Sequence, residues 1–104
     1  METADAVAID VHASCELAWV LARHHSRSRA DIAATVRRLV AAPNVVVDRP
    51  AVAAGLAHLD AGGDFADGVI AHEGRQLGGD TFVSFDRKAV RLVAASGRPA
   101  RAPP

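Results

Sequence analysis

Cysteine is almost absent from this 104-residue chain. Cys15 stands alone, which excludes an internal disulfide and a zinc site built from cysteines. It reads as a small residue buried on a helix rather than as a reactive thiol. Aromatics are also few: Trp19, Phe65, Phe82 and Phe85, with no tyrosine. They offer no stacking platform for single-stranded nucleic acid, so any RNA contact would run through phosphate and shape. The chain has no apolar run of about eighteen residues and no basic segment leading into an apolar one, so neither a membrane span nor a signal peptide is indicated. A cytoplasmic location is the expectation. A glycine-rich phosphate loop with lysine and a Gly-x-Ser-x-Gly elbow are missing as well. His72-Glu73 opens like a zinc-protease helix, but Gln76 stands where the second histidine belongs. The five histidines, His12, His24, His25, His58 and His72, show no ligand spacing.

Half of the residues are apolar, enough for the core of one small domain and not for two. Alanine and valine dominate, so that core is built from small aliphatic side chains. The formal net charge is zero, yet charge is segregated along the chain: residues 1–20, 21–43, 48–86 and 87–104 carry −4, +4, −5 and +5. An acidic centre bordered by bases suits a metal-dependent enzyme acting on a polyanion, because bases attract phosphate while acids hold the cation. Solvated helix faces explain any single block equally well.

Helix and strand signals alternate without a linker or a repeat. Residues 6–10, AVAID, read as a short strand, followed by a helix over 12–25 whose core stripe is Ala13, Leu17, Val20, Leu21 and His24. A second helix spans 28–42, with Ser28 and Asp31 as a capping pair and Ile32, Val36, Leu39 and Val40 facing inward. Pro43 and Asn44 stop it. Val45–Val47 read as a buried strand, and Asp48 caps a helix through Asp60 with Pro50 in its first turn. Gly62 and Gly63 precede a helix over 64–77, which Gly78 and Gly79 end. Residues 81–85 are the clearest strand, and 87–95 form the last helix. The segment 97–104, with three prolines, is expected to be disordered. Valine strands between helices predict an α/β fold with a parallel sheet.

The stretch 64–86 concentrates the chemistry, because one acid pair opens a helix and another acid ends a strand. If those elements are neighbours, Asp67 and Asp86 meet at one sheet edge, where carboxylates hold hard divalent cations. Asp64 also reads as a simple helix cap, and Asp86 as the cap of the next helix. Glu16 flanks an apolar helical stripe, where a carboxylate is costly unless it faces a cation or a polar cleft.

An acid in a helix after a short strand (IDVHASCELAWVL), a helical pair, a valine strand, then DFADGVIA and TFVSFDRKAVRL, together resemble the PIN-domain ribonucleases, in particular VapC-type toxins of toxin–antitoxin systems. The resemblance covers roughly residues 6–95. It implies a PIN-like three-layer α/β fold with a small parallel sheet in residues 1–96, and a Mg²⁺- or Mn²⁺-dependent endoribonuclease that hydrolyses RNA phosphodiester bonds. By motif position it assigns Glu16, Asp67 and Asp86 as catalytic metal ligands, with Ser84 at the place of a small polar residue. Arg87 and Lys88 would hold the RNA backbone. The implied partners are RNA, a cognate antitoxin and a second copy of the chain, with no membrane.

One part of the family pattern is missing. PIN domains open with a hydrophobic strand ending in Asp-x-Asn, which supplies the first of four acids and lies at the centre of the sheet, and nothing here matches it. Asp10 ends an apolar run six residues before Glu16 and stands as a candidate substitute. The resemblance thus implies a domain shortened at its N-terminus, whose second and fourth strands lose their shared neighbour, whose last strand is weak, and whose activity is low or absent. The alternative implied is a non-catalytic module that binds an antitoxin or dimerises through its early helices.

Overall fold

The computed structural model describes residues 7–24 and 27–104, with the side chain of His24 outside the description. It is a mixed α/β structure of five helices and two small parallel sheets among the described residues. The order is β1 (Val7–Ile9), α1 (Val11–His24), α2 (Arg29–Ala41), β2 (Val45–Val47), α3 (Arg49–Asp60), α4 (Phe65–Gln76), β3 (Phe82–Val83), α5 (Arg87–Ala95) and β4 (Ala100–Arg101). Each predicted helix is present to within a residue or two at its ends. Ala6 and His25, at predicted ends of β1 and α1, lie outside the described residues.

Local chemistry explains the helix starts. The Asp10 carboxylate accepts a hydrogen bond from the Ala13 amide at 2.7 Å, at the start of α1. Ser28 Oγ accepts from the Asp31 amide at 3.1 Å for α2, and Asp48 Oδ1 from the Ala51 amide at 3.1 Å for α3, with Pro50 in the first turn. Each bond satisfies an amide that the helix itself leaves unpaired. Gly62 ends α3 at φ +102°, a left-handed conformation that a Cβ would strain, and so turns the chain towards α4.

The sheet differs from the single one expected. β1 pairs with β2 (Val7 opposite Val45, Ile9 opposite Val47), β3 pairs with β4 (Phe82 opposite Ala100), and no ladder joins the two pairs. The predicted strand over 81–85 shortens to Phe82–Val83. Residues 97–104, expected to be disordered, carry β4. Phe82 donates its amide to the Pro99 carbonyl at 2.9 Å, and Ser84 donates to Arg101 at 3.2 Å. Arg98 reinforces this by donating to the backbone carbonyls of Ala71 and Gly79. Proline before the strand costs no bond, since its carbonyl still accepts.

Two apolar clusters hold the elements together. The larger combines Ala18 of α1, Ile32, Ala33 and Val36 of α2, Val52, Leu56 and Leu59 of α3, and Phe65 and Val69 of α4. The smaller joins Ala71 of α4, Phe82 of β3, and Ala89 and Val93 of α5. Helix α4 belongs to both, so it fixes β3 and α5 relative to the rest. It lies unusually close to α3: a Cβ on Gly68 would sit 2.5 Å from the Ala54 carbonyl oxygen and 3.0 Å from the Gly55 Cα. Helix α1 presents a different stripe from the one expected. Ser14 and Ala18 are buried, with Val11, Cys15 and Leu21 packed against the core, while Ala13 is exposed. The true face is centred one residue along, because Ser14, whose hydroxyl donates to the Asp10 carbonyl at 3.3 Å, tolerates burial.

Candidate metal centre

Asp67 stands at the third position of α4, Asp64 at that helix's N-cap, and Asp86 between β3 and α5. The close crossing of α3 and α4 and the smaller core cluster bring these elements together. One carboxylate oxygen from each of Asp64, Asp67 and Asp86 lies within 4.8 Å of the others. Asp64 and Asp86 are exposed, and Asp67 is half-buried.

The three acids are held differently. Asp64 occupies the cap position but makes no side-chain cap bond, so the cap reading does not account for its carboxylate. Asp86 does cap its helix: Oδ1 accepts from the Lys88 amide at 2.9 Å and the Ala89 amide at 3.2 Å. Its own amide donates to Ser84 Oγ at 3.0 Å, which gives Ser84 a role in setting the turn that carries the acid. The two readings of Asp86, cap and site, are compatible, since both bonds go to one oxygen. Burial raises the Asp67 carboxyl above its ordinary range, Asp64 and then Asp86 raise it further by repulsion, and His58 partly offsets them. Such a donor set, all oxygen and mutually repelling, fits a hard divalent cation, which would relieve the repulsion.

The sequence-assigned residues do not all converge. Asp67 and Asp86 meet, with Asp64 as their third partner. Glu16 lies outside that group; its exposed carboxylate is 3.6 Å from His12 Nε2, one helical turn back. Glu16 together with Glu73 and burial pushes the Cys15 thiol pKa up, burial first, which disfavours a reactive thiolate. Asp10 is engaged at the start of α1. Arg87 and Lys88 are exposed on the first turn of α5, directly after Asp86.

His58 was not singled out by spacing, and it belongs beside the site. It is 8 % exposed near the end of α3, and its Nε2 has no hydrogen-bond partner. Its ring fills the space over Gly63, where a Cβ would come within 2.4 Å, and its Cβ lies against Gly68. Those two glycines neighbour Asp64 and Asp67, so the imidazole packs beneath the segment that presents both acids. The only sequence signal for it is a histidine amid the apolar residues of α3. Comparison with protein-family models, with curated proteins and with solved structures finds no match to this chain.

Proposed function

We propose that the chain is a PIN-type, VapC-like ribonuclease domain that uses Asp64, Asp67 and Asp86 to hold Mg²⁺ or Mn²⁺ and hydrolyses RNA phosphodiester bonds. The observation that carries this reading is the meeting of the three carboxylates within 4.8 Å, with Asp64 freed from capping. The parallel pairing in both small sheets also suits a PIN-like α/β arrangement.

A bound divalent cation would lower the pKa of a water molecule and neutralise charge developing on the phosphate. The chain's own residues set the rest. Ser84 and the α5 amides orient Asp86, while α4 presents Asp64 and Asp67 from one turn. Arg87 and Lys88 stand beside Asp86, where a phosphate backbone would lie, and the N-terminus of α5 adds its dipole. The three carboxylates by themselves give a cation few ligands, so slow turnover is expected of this chain.

Cleavage of a labelled RNA with Mn²⁺ tests the reading, using Asp67→Ala as control. The expected result is slow, metal-dependent cleavage that falls roughly a hundredfold in the variant. Cleavage that persists in EDTA or in the variant would overturn it. A second reading, a non-catalytic PIN module that dimerises or receives an antitoxin, draws on the exposed part of α1. There Trp19 is 52 % exposed beneath the Arg23 guanidinium, 5.9 Å from its ring centre. Dimerisation by light scattering, lost in Trp19→Ala and accompanied by no cleavage, would favour that module.

A further inference from the structure

A cleft of about 860 Å³ opens beside His58, between α3, α4, α5 and the segment leading into β4. Its volume falls in the range of small-molecule sites. Two arginines and two histidines line it, Arg75, Arg98, His58 and His72, against one carboxylate, Asp80.

Among the described residues, two side-chain polar atoms are buried without a partner, Arg98 Nε and His58 Nε2, and both residues line this cleft. Arg98 is the more telling. Two of its guanidinium nitrogens donate to the Ala71 and Gly79 carbonyls, which fixes the fork, and among the described residues no carboxylate forms an ion pair with it. An arginine Nε–H can only donate, so what it lacks is an acceptor. A half-buried guanidinium with an orphaned donor is costly unless an anion completes it. His58 Nε2, the other orphaned atom, lies against Gly63 while its residue forms part of the cleft wall.

We propose that this cleft binds an oxyanion of the phosphate class, with Arg98 as its half-buried donor and Arg75, His58 and His72 on its polar wall. Phosphate oxygens match an arginine that already presents its edge in a fixed plane. Asp80 opposes the anion and limits affinity. The cleft shares His58 with the neighbourhood of the metal centre but none of its three aspartates, so the proposal does not require the ribonuclease reading.

Titrating the full chain with inorganic phosphate in EDTA, at constant ionic strength, and following the histidine imidazole signals by NMR tests the proposal. Saturable shifts of the His58 and His72 signals are expected. Arg98→Gln should weaken binding roughly tenfold or more, and Asp80→Asn should tighten it severalfold. Arg75→Gln, at an exposed position with no side-chain bond among the described residues, should weaken binding severalfold at unchanged melting temperature. If Arg98→Gln fails to fold, the Arg75 and Asp80 variants decide. Absence of saturable shifts, or variants that bind phosphate like the parent chain, would overturn the proposal. A short RNA that moves the same His58 signal assigns the anion to a polynucleotide backbone. A response to phosphate and mononucleotide alone assigns it to a small phosphate ester.

Discussion

Asp67 is half-buried in the first turn of α4, and burial together with Asp64 and Asp86 holds its carboxyl above the ordinary aspartate range. A carboxyl with a raised folded pKa binds its proton more tightly folded than unfolded. Its contribution to stability is therefore fully present below the unfolded value, about 3.9, and is lost as pH rises through the folded value. Asp67→Asn removes the charge that is disfavoured at neutral pH. The variant should melt higher than the parent at pH 7 in EDTA, with the gap closing below about pH 3.5. Calorimetry across that range checks it, and a variant that melts lower at pH 7 would sink the repulsion account. Mn²⁺ at ten times its Kd should stabilise the parent by about 1.4 kcal/mol and the variant by much less.

Residue chemistry was legible in the sequence only where a side chain answers to its own neighbours. Local spacing marks Ser28, Asp48 and Asp86 as caps, and each does cap its helix. The same spacing marks Asp64 as a cap, but it cannot show that the carboxylate makes no cap bond and stands with Asp67 and Asp86 instead. Spacing gives no sign of His58's place because its neighbours, Gly63 and Gly68, are brought to it only by tertiary packing.

Among the elements, α3 and α4 make the tightest pairing, and two glycines of α4 separate packing from propensity. A Cβ at Gly68 would meet the Ala54 carbonyl at 2.5 Å and the His58 Cβ at 2.6 Å, so Gly68→Ala must push the helices apart. A loss of about 1–3 kcal/mol is expected, along with weaker metal binding because Asp67 is displaced. At Gly74 a Cβ would meet nothing within 4 Å. Gly74→Ala should therefore stabilise by about 0.5–1 kcal/mol through helix propensity. Urea melts of the two variants check the pair; equal effects would show that the crossing is looser than it stands.

Helix boundaries were readable because glycine, proline and capping residues punctuate them. The phase of α1 was not, since Ala13, Leu17 and Val20 form as regular a stripe as Ser14 and Ala18. Only the position of α2 and α4 selects the latter. Strand β4 was hidden for a related reason: Ala100–Arg101 has little strand propensity of its own and is held by Pro99, Arg101 and Arg98 bonding to neighbours.

The molecule as a whole is looser than its length requires. Its radius of gyration is 14.7 Å, against about 13 Å for a compact chain of this size. Apolar burial is concentrated where α1 to α4 meet, while each β pair rests on two or three residues per strand. Hydrogen exchange should follow that division. Amides of Leu56, Leu59 and Val69 are expected to exchange slowest, and those of β1 and β3 much faster. Uniform protection across helices and strands would contradict a stability divided in this way.

The two strand pairs have a further consequence for how copies of the chain meet. Among the described residues every strand in a two-stranded ladder leaves one side open, and charge is absent from β1, β2 and β3: Arg101 guards β4, the chain's single lysine, Lys88, sits on a helix, and Val7, Val46 and Val83 are exposed. Such borders invite a neighbouring chain to add its own backbone, as in the first step towards fibrils. Brevity is the safeguard. Two or three residues offer a newcomer too few bonds to offset the freedom it gives up, so shortness here works as protection against self-assembly.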